Sequence, residues 1–150
     1  MAIPNASGVE VIRTALFEDV VNVNQKIIIG EQHHIYTIIS VFIWCDGLNA
    51  AGDHITVYLT AYDGQGGDSA QPINLFRFKP TAIGDTYVFN DRFSFNGTEG
   101  SDMTGGFDAV AEQDLVADQA TTTAQKLMIA TSDASTPCDV TVTFIDQNNA

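Results

Sequence analysis

Hydrophobic and polar residues alternate along most of this chain with the two-residue period of β-strands. The run His34–Cys45 is dense in Ile, Val, Phe, Tyr and Trp. Asp53–Asp63 alternates cleanly, with Ile55, Val57, Leu59 and Ala61 on one face and Thr56, Tyr58, Thr60 and Tyr62 on the other. Ile73–Lys79 opposes Phe76 and Phe78 to Arg77 and Lys79. Gly8–Leu16, Lys26–Ile29, Asp85–Asn90, Arg92–Asn96, Thr121–Ala124, Lys126–Thr131 and Asp139–Ile145 continue the theme. β-Branched and aromatic side chains suit a pleated, half-buried surface. Frequent Gly, Asp, Asn and Pro clusters between the runs are turn formers. The pattern predicts an all-β, antiparallel β-sandwich, jelly-roll-like, of about eight strands.

Details of the pattern sharpen this expectation. In His34–Cys45, Ile35, Ile39, Val41, Ile43 and Cys45 fall on one side, and Tyr36, Ile38, Phe42 and Trp44 on the other. A strand apolar on both faces reads as one covered on both faces. With the turn-rich Asp46–Asp53 and the strand after it, it reads as a long hairpin. Phe17–Gln25 is ambiguous between extended chain and a turn. Phe107–Gln119 spaces Phe107, Val110, Ala111 and Leu115 as a helix or an irregular acidic loop would. This segment lies in an acidic insertion near 101–120. Met1–Ser7, with Pro4 and Asn5, reads as an N-terminal arm before a single domain over 8–150. Asp146–Ala150 reads as a polar tail.

Composition narrows the function. A chain of 150 residues is most simply one domain with a substantial core. Its 19 acidic against 6 basic residues give a net charge of −13. That balance disfavours nucleic-acid backbones, which need clustered Lys and Arg, and anionic membranes. No apolar run approaches the roughly 18 residues of a membrane span. The opening MAIPNASGVEV has neither the basic nor the apolar region of a secretory signal. Cys45 and Cys138 lie outside any metal or redox spacing and read as reduced, buried thiols, with pairing open only if their strands adjoin.

The chain offers little catalytic chemistry. His33 and His34 are adjacent, so a strand sends them to opposite faces, and His54 supplies no third zinc ligand. No oriented nucleophile–base signature is present, and no phosphate-cradling loop. The Asp- and Gly-rich stretches Asp63–Asp68 and Glu99–Asp108 carry oxygen ligands suited to a hard cation, or are simply solvated loops. The expectation is no catalytic site, no cofactor and no resident metal. Tyr58 and Tyr62, on an outward face, and Arg77, Lys79 and Arg92, on adjoining strands, are the candidate interface residues. A carbohydrate-binding reading would use Trp44, Tyr58 and Tyr62 as stacking platforms, although Trp44 reads as a core residue.

Three segments in order, IYTIISVFIWCDGLNAAGDHITVYLTAYD, INLFRFKPTAIGDTYVFNDRFSFNG and QKLMIATSDASTPCDVTVTFIDQ, carry a family likeness. Over about Val11–Gln147 the chain resembles small β-sandwich virion proteins of tailed bacteriophages, especially those of marine bacteria and cyanobacteria. The resemblance implies a head-decoration (cement) protein, or a neck or tail component. It implies a homo-oligomer, often a trimer, that binds the major capsid protein lattice or other virion proteins, in a virion assembled in the host cytoplasm. It brings no catalytic residues. The acidic insertion departs from the simplest members of that family.

Overall fold

The computed structural model describes residues 9–63, 68–99 and 123–148, with side chains at 61–71, 99 and 123 left aside. The expected arm at 1–7, the insertion near 101–120 with its helix-or-loop segment, and most of both Asp/Gly-rich stretches lie outside the described residues. Every described element is a strand: β1 (Glu10–Val20), β2 (Gln25–Ile29), β3 (His34–Cys45), β4 (Ile55–Asp63), β5 (Asp68–Phe78), β6 (Thr86–Phe89), β7 (Phe93–Asn96), β8 (Thr98–Glu99), β9 (Thr123–Ala124), β10 (Lys126–Thr131) and β11 (Cys138–Asn148).

Two antiparallel sheets form a sandwich. One is five-stranded, ordered β1-β11-β3-β6 with β7 also on β3, and the other is four-stranded, ordered β2-β10-β4-β5. Nine strands therefore build the sandwich. β6 and β7 occupy one edge position, because both pair with β3 opposite β11, at Val41–Trp44 and Ile35–Ile38. Counted that way there are eight positions, and the chain crosses between the sheets at every step except β4 to β5, which pair as neighbours, in jelly-roll order.

This order corrects the expected hairpin. β3 pairs with β11, β6 and β7, whereas β4 pairs with β10 and β5. The connection between β3 and β4 crosses from one sheet to the other, and hydrogen bonds to a carboxylate hold it. Asp53 accepts from Thr136 Oγ1 at 2.6 Å, Ala50 N at 2.8 Å and Asn49 N at 3.1 Å. These bonds tie the crossing to the β10–β11 turn.

The faces of β3 also differ from expectation. Opposite β11, the register skips Ile39 between Ile38 and Ser40. This β-bulge puts an extra residue on one strand and changes the phase of everything after it. His34, Tyr36 and Ile38 point inward before the bulge, and Val41, Ile43 and Cys45 after it. Phe42 and Trp44 consequently face out, 44% and 42% exposed. The strand is buried on one face only, and its all-apolar appearance comes from two alternating halves joined out of phase. The edge strand breaks at the same level, with residues 90–92 falling between β6 and β7.

The core lies between the sheets. Ile38, Val41, Ile43, Val140 and Val142 of one meet Ile55, Val57, Leu127 and Ile129 of the other. Burying each such side chain contributes roughly 1.5–3 kcal/mol. Aromatic rings close the sandwich at one edge. Phe76 stacks on Phe89 at 4.3 Å, and Phe78 on Tyr87 at 4.2 Å, linking β5 to β6.

Ile43→Ala should cost about 2–5 kcal/mol in urea unfolding, by transfer and cavity terms together. Ile12→Ser, on the outer face, should stay within about 0.5 kcal/mol.

The Thr136 hydroxyl and the Ala50 and Asn49 amides lower the pKa of Asp53 below the usual carboxylate value. The Ala82 and Thr81 amides and the Thr81 hydroxyl do the same for Asp85. A depressed folded-state pKa gives stability that is present above the unfolded value, about 3.9, and lost as pH falls through the folded one. Thermal midpoints should therefore drop as pH is lowered below ~4, and Asp53→Asn should flatten part of that dependence.

Candidate functional site

The most concentrated polar chemistry among the described residues sits inside one end of the sandwich. β11 continues past Ile145, and Asp146 keeps the inward phase of Val140, Val142 and Phe144. The carboxylate is 1% exposed. It accepts from Arg13 Nε at 2.9 Å and meets His34 Nδ1 at 2.6 Å. Strand register explains the convergence. Asp146 lies opposite Val11 on β1 and Tyr36 on β3, so Arg13 and His34 are its diagonal neighbours on the inner face.

An ionised carboxylate only accepts, so Nδ1 of His34 carries the proton in this bond. Nε2 of His34 faces Glu31 Oε2 at 3.8 Å. The Tyr36 hydroxyl accepts from Glu31 N at 3.2 Å. Burial, and then the charge of Asp146, push the pKa of Tyr36 well above the ordinary phenol value. Tyr36 therefore stays protonated at neutral pH. His34 is engaged by carboxylates on both ring nitrogens, and Arg13 neutralises the buried acid. The arrangement positions β1, β3 and β11 relative to one another.

A cleft of about 410 Å³ opens beside this cluster, lined by Arg13, Phe17, Lys26, Ile27, Ile28, Tyr36 and Phe144 among others. Gly30, in its lining, belongs to a close crossing of three chain segments. Gly30 N donates to Gln125 O at 2.8 Å, Gln125 N to Gly97 O at 2.9 Å, and Gly97 N to His34 O at 2.7 Å. A Cβ on Gly30 would overlap the backbone of Gly97, and one on Gly97 the backbone of Glu31. Only glycine permits this approach.

The outer face of the five-stranded sheet forms a second distinctive surface. Leu16, Thr141, Phe42 and Val88 lie in register across β1, β11, β3 and β6. Trp44 follows Phe42 two residues on, opposite Asp139 and Thr86. Leu16 is 60% exposed and Val88 47%. Large apolar side chains grouped on one face mark interaction surfaces more often than isolated ones do.

The expected interface residues are spread over different surfaces. Tyr58 is half-buried on β4, and burial raises its pKa. Tyr62 lies in the same strand, with its side chain outside the described positions. Arg77 and Lys79 are exposed, as the alternation of β5 predicts, and Arg77 Nη2 lies 3.4 Å from His54 Nδ1. Arg92 sits between β6 and β7, at the edge of the other sheet. The three bases are therefore not on adjoining strands of one sheet, because the jelly-roll order separates β5 from β6. Trp44 and Tyr58 likewise belong to different sheets and form no common row. His34 is bound into the Asp146 cluster, whereas His54, just before β4, donates its backbone N–H to Ser132 Oγ at 3.0 Å.

Sequence reasoning missed the Asp146 cluster. Ending the last strand at Ile145 assigned Asp146 to a tail. The signal was the alternation itself, which carried one residue further puts a carboxylate in phase with the core, and Arg13 in phase with Val11 and Ala15. The fold and these sites define the chain as a jelly-roll β-sandwich with a buried Arg–Asp–His cluster and an apolar outer sheet face. Compared with known proteins, it matches no protein-family model and no curated protein sequence.

Removing one partner of a buried ion pair leaves the other uncompensated. Asp146→Asn should therefore destabilise the domain by about 3 kcal/mol in chemical denaturation. Lys26→Gln, on the rim of the same cleft, should change stability by less than about 0.5 kcal/mol.

Proposed function

We propose that this chain is a non-enzymatic structural protein of a bacteriophage virion. In this reading it is a capsid decoration, or cement, protein that assembles as a homotrimer and stabilises the head by binding the lattice of the major capsid protein. The observation that carries the reading is the outer face of the five-stranded sheet, where Leu16, Phe42, Trp44 and Val88 stand exposed together. An apolar centre of this kind is what a subunit interface uses, and Trp is the residue type most enriched among its energetic anchors. Repeated lattice sites let individually weak contacts add through multivalency. The net charge of −13 keeps a protein made in many copies soluble before assembly. Jelly rolls recur in viral capsids, and also in lectins and cupins, so the fold lends support by analogy alone.

A second reading is favoured by one feature, the exposure of the Trp44 indole beside Phe42. An exposed aromatic platform suits stacking on a sugar ring, as in a tail or neck component with a carbohydrate- or receptor-binding sandwich. A glycan array separates the two readings, since only the second predicts specific hits that Trp44→Ala abolishes.

The purified protein should form a discrete oligomer by light scattering and raise the melting temperature of capsids that lack it. Trp44→Ala should weaken capsid binding roughly 30-fold, the effect of losing one interface anchor. The same substitution should leave monomer unfolding nearly unchanged. A monomer that never associates with such particles would refute the proposal.

A further inference from the structure

The inner faces of β3 and β11 place two thiols side by side, and the backbone pattern around them defines their spacing. Cys45 and Cys138 are direct cross-strand partners, both fully buried and both free. Cys45 N donates to Asp85 O at 2.9 Å, and Cys45 O accepts from Gly84 N at 2.7 Å. Both backbone groups of Cys45 thus point away from β11. The next residue turns back, with Asp46 N donating to Pro137 O at 3.0 Å. Cys45 and Cys138 are therefore a non-hydrogen-bonded antiparallel pair, whose Cα atoms lie about 4.5 Å apart. That separation falls inside the ~4.4–6.8 Å range that a disulfide spans.

We propose that Cys45 and Cys138 form a redox-closable clip, a dithiol under reducing conditions and a cross-strand disulfide under oxidising ones. The inference stands independently of what the chain assembles with. Its position makes the chemistry accessible. Cys45 ends β3 and Cys138 begins β11, at the margin of the core, so local opening of these two strand ends exposes both sulfurs. Cys45 Sγ donates to Gly47 O at 3.1 Å, in the first turn beyond the strand. Burial raises the pKa of both thiols, and that of Cys138 is pushed up to about 12 by burial and by the neighbouring Cys45. Cys45, whose thiol bonds outward to the connection at Gly47, is the attacking sulfur and Cys138, in the core cluster, the resolving one.

The co-reactant is a low-molecular-weight disulfide. The Cys45 thiolate attacks one of its sulfurs, forms a mixed disulfide and expels one small thiolate. The Cys138 thiolate then attacks Sγ of Cys45, forms the protein disulfide and expels the second. Two protein thiols are oxidised, one small disulfide is reduced, and the two protons end on the two small thiols released. The bond joins neighbouring strands of one sheet and closes a loop that contains β4 through β10. Cross-linking so long a loop restricts the unfolded chain strongly.

The test uses the full chain, purified folded under reductant and then incubated with oxidised glutathione. Intact mass spectrometry should show the loss of two hydrogens without an adduct. Proteolysis should yield one linked pair of peptides carrying Cys45 and Cys138. Tm should rise by roughly 10 °C and return on addition of dithiothreitol. Cys45→Ser and Cys138→Ser should each abolish the rise, while the wild-type comparison with and without oxidant needs no variant to fold. Retained free thiols, stable glutathione adducts or disulfide-linked dimers would overturn the clip. A cross-link that leaves Tm unchanged would overturn its stabilising role.

Discussion

A strand has only two faces, and in a sandwich one of them must be apolar while the other meets solvent or a partner. β3 satisfies this constraint through the single extra residue at Ile39, which reverses the phase of the strand midway. Before the bulge, the inward positions are His34, Tyr36 and Ile38, and after it Val41, Ile43 and Cys45. All three features that give this molecule its character follow from that reversal. His34 is delivered to Asp146 at one end of the sheet. Cys45 is delivered to Cys138 at the other. Phe42 and Trp44, which unbroken alternation from Tyr36 would bury, are turned to the outside.

The two ends of the inner face are chemically distinct. At one, an inward carboxylate is held by an inward guanidinium and an imidazole, with donors and acceptors matched. A buried ion cluster of this kind adds little net stability over an apolar replacement, yet it penalises any register that separates its members. It therefore favours one alignment of β1, β11 and β3 over slipped ones. At the other end the groups are thiols, which pack as small apolar side chains. Between them runs an aliphatic core shared by both sheets.

Much of this architecture could be read from the chain. The all-β class, the limits of β3 and β10, the inward Ile55, Val57 and Leu59 of β4 and the split between Phe76/Phe78 and Arg77/Lys79 are direct readings of period-two alternation. What could not be read has specific physical causes. Neighbouring strands separated by the turn-rich 46–54 segment looked like a hairpin, because the hydrogen bonds that instead carry the chain across the sandwich come from Asp53 to a turn more than eighty residues away. A bulge leaves no mark in composition, so two out-of-phase halves read as a strand covered on both sides. The Asp146 cluster was hidden by the habit of ending a strand at its last apolar residue.

The protein has a single tryptophan, and its environment reports directly on the phase reversal. Acrylamide quenching of Trp44 emission, recorded at dilutions where the chain is monomeric, measures whether that side chain faces solvent. The bulge at Ile39 predicts an indole that quenches readily and emits at the long wavelength of an exposed ring. A blue-shifted emission that resists quenching in the folded monomer would place Trp44 in the core, and the phase of β3 with it would be wrong.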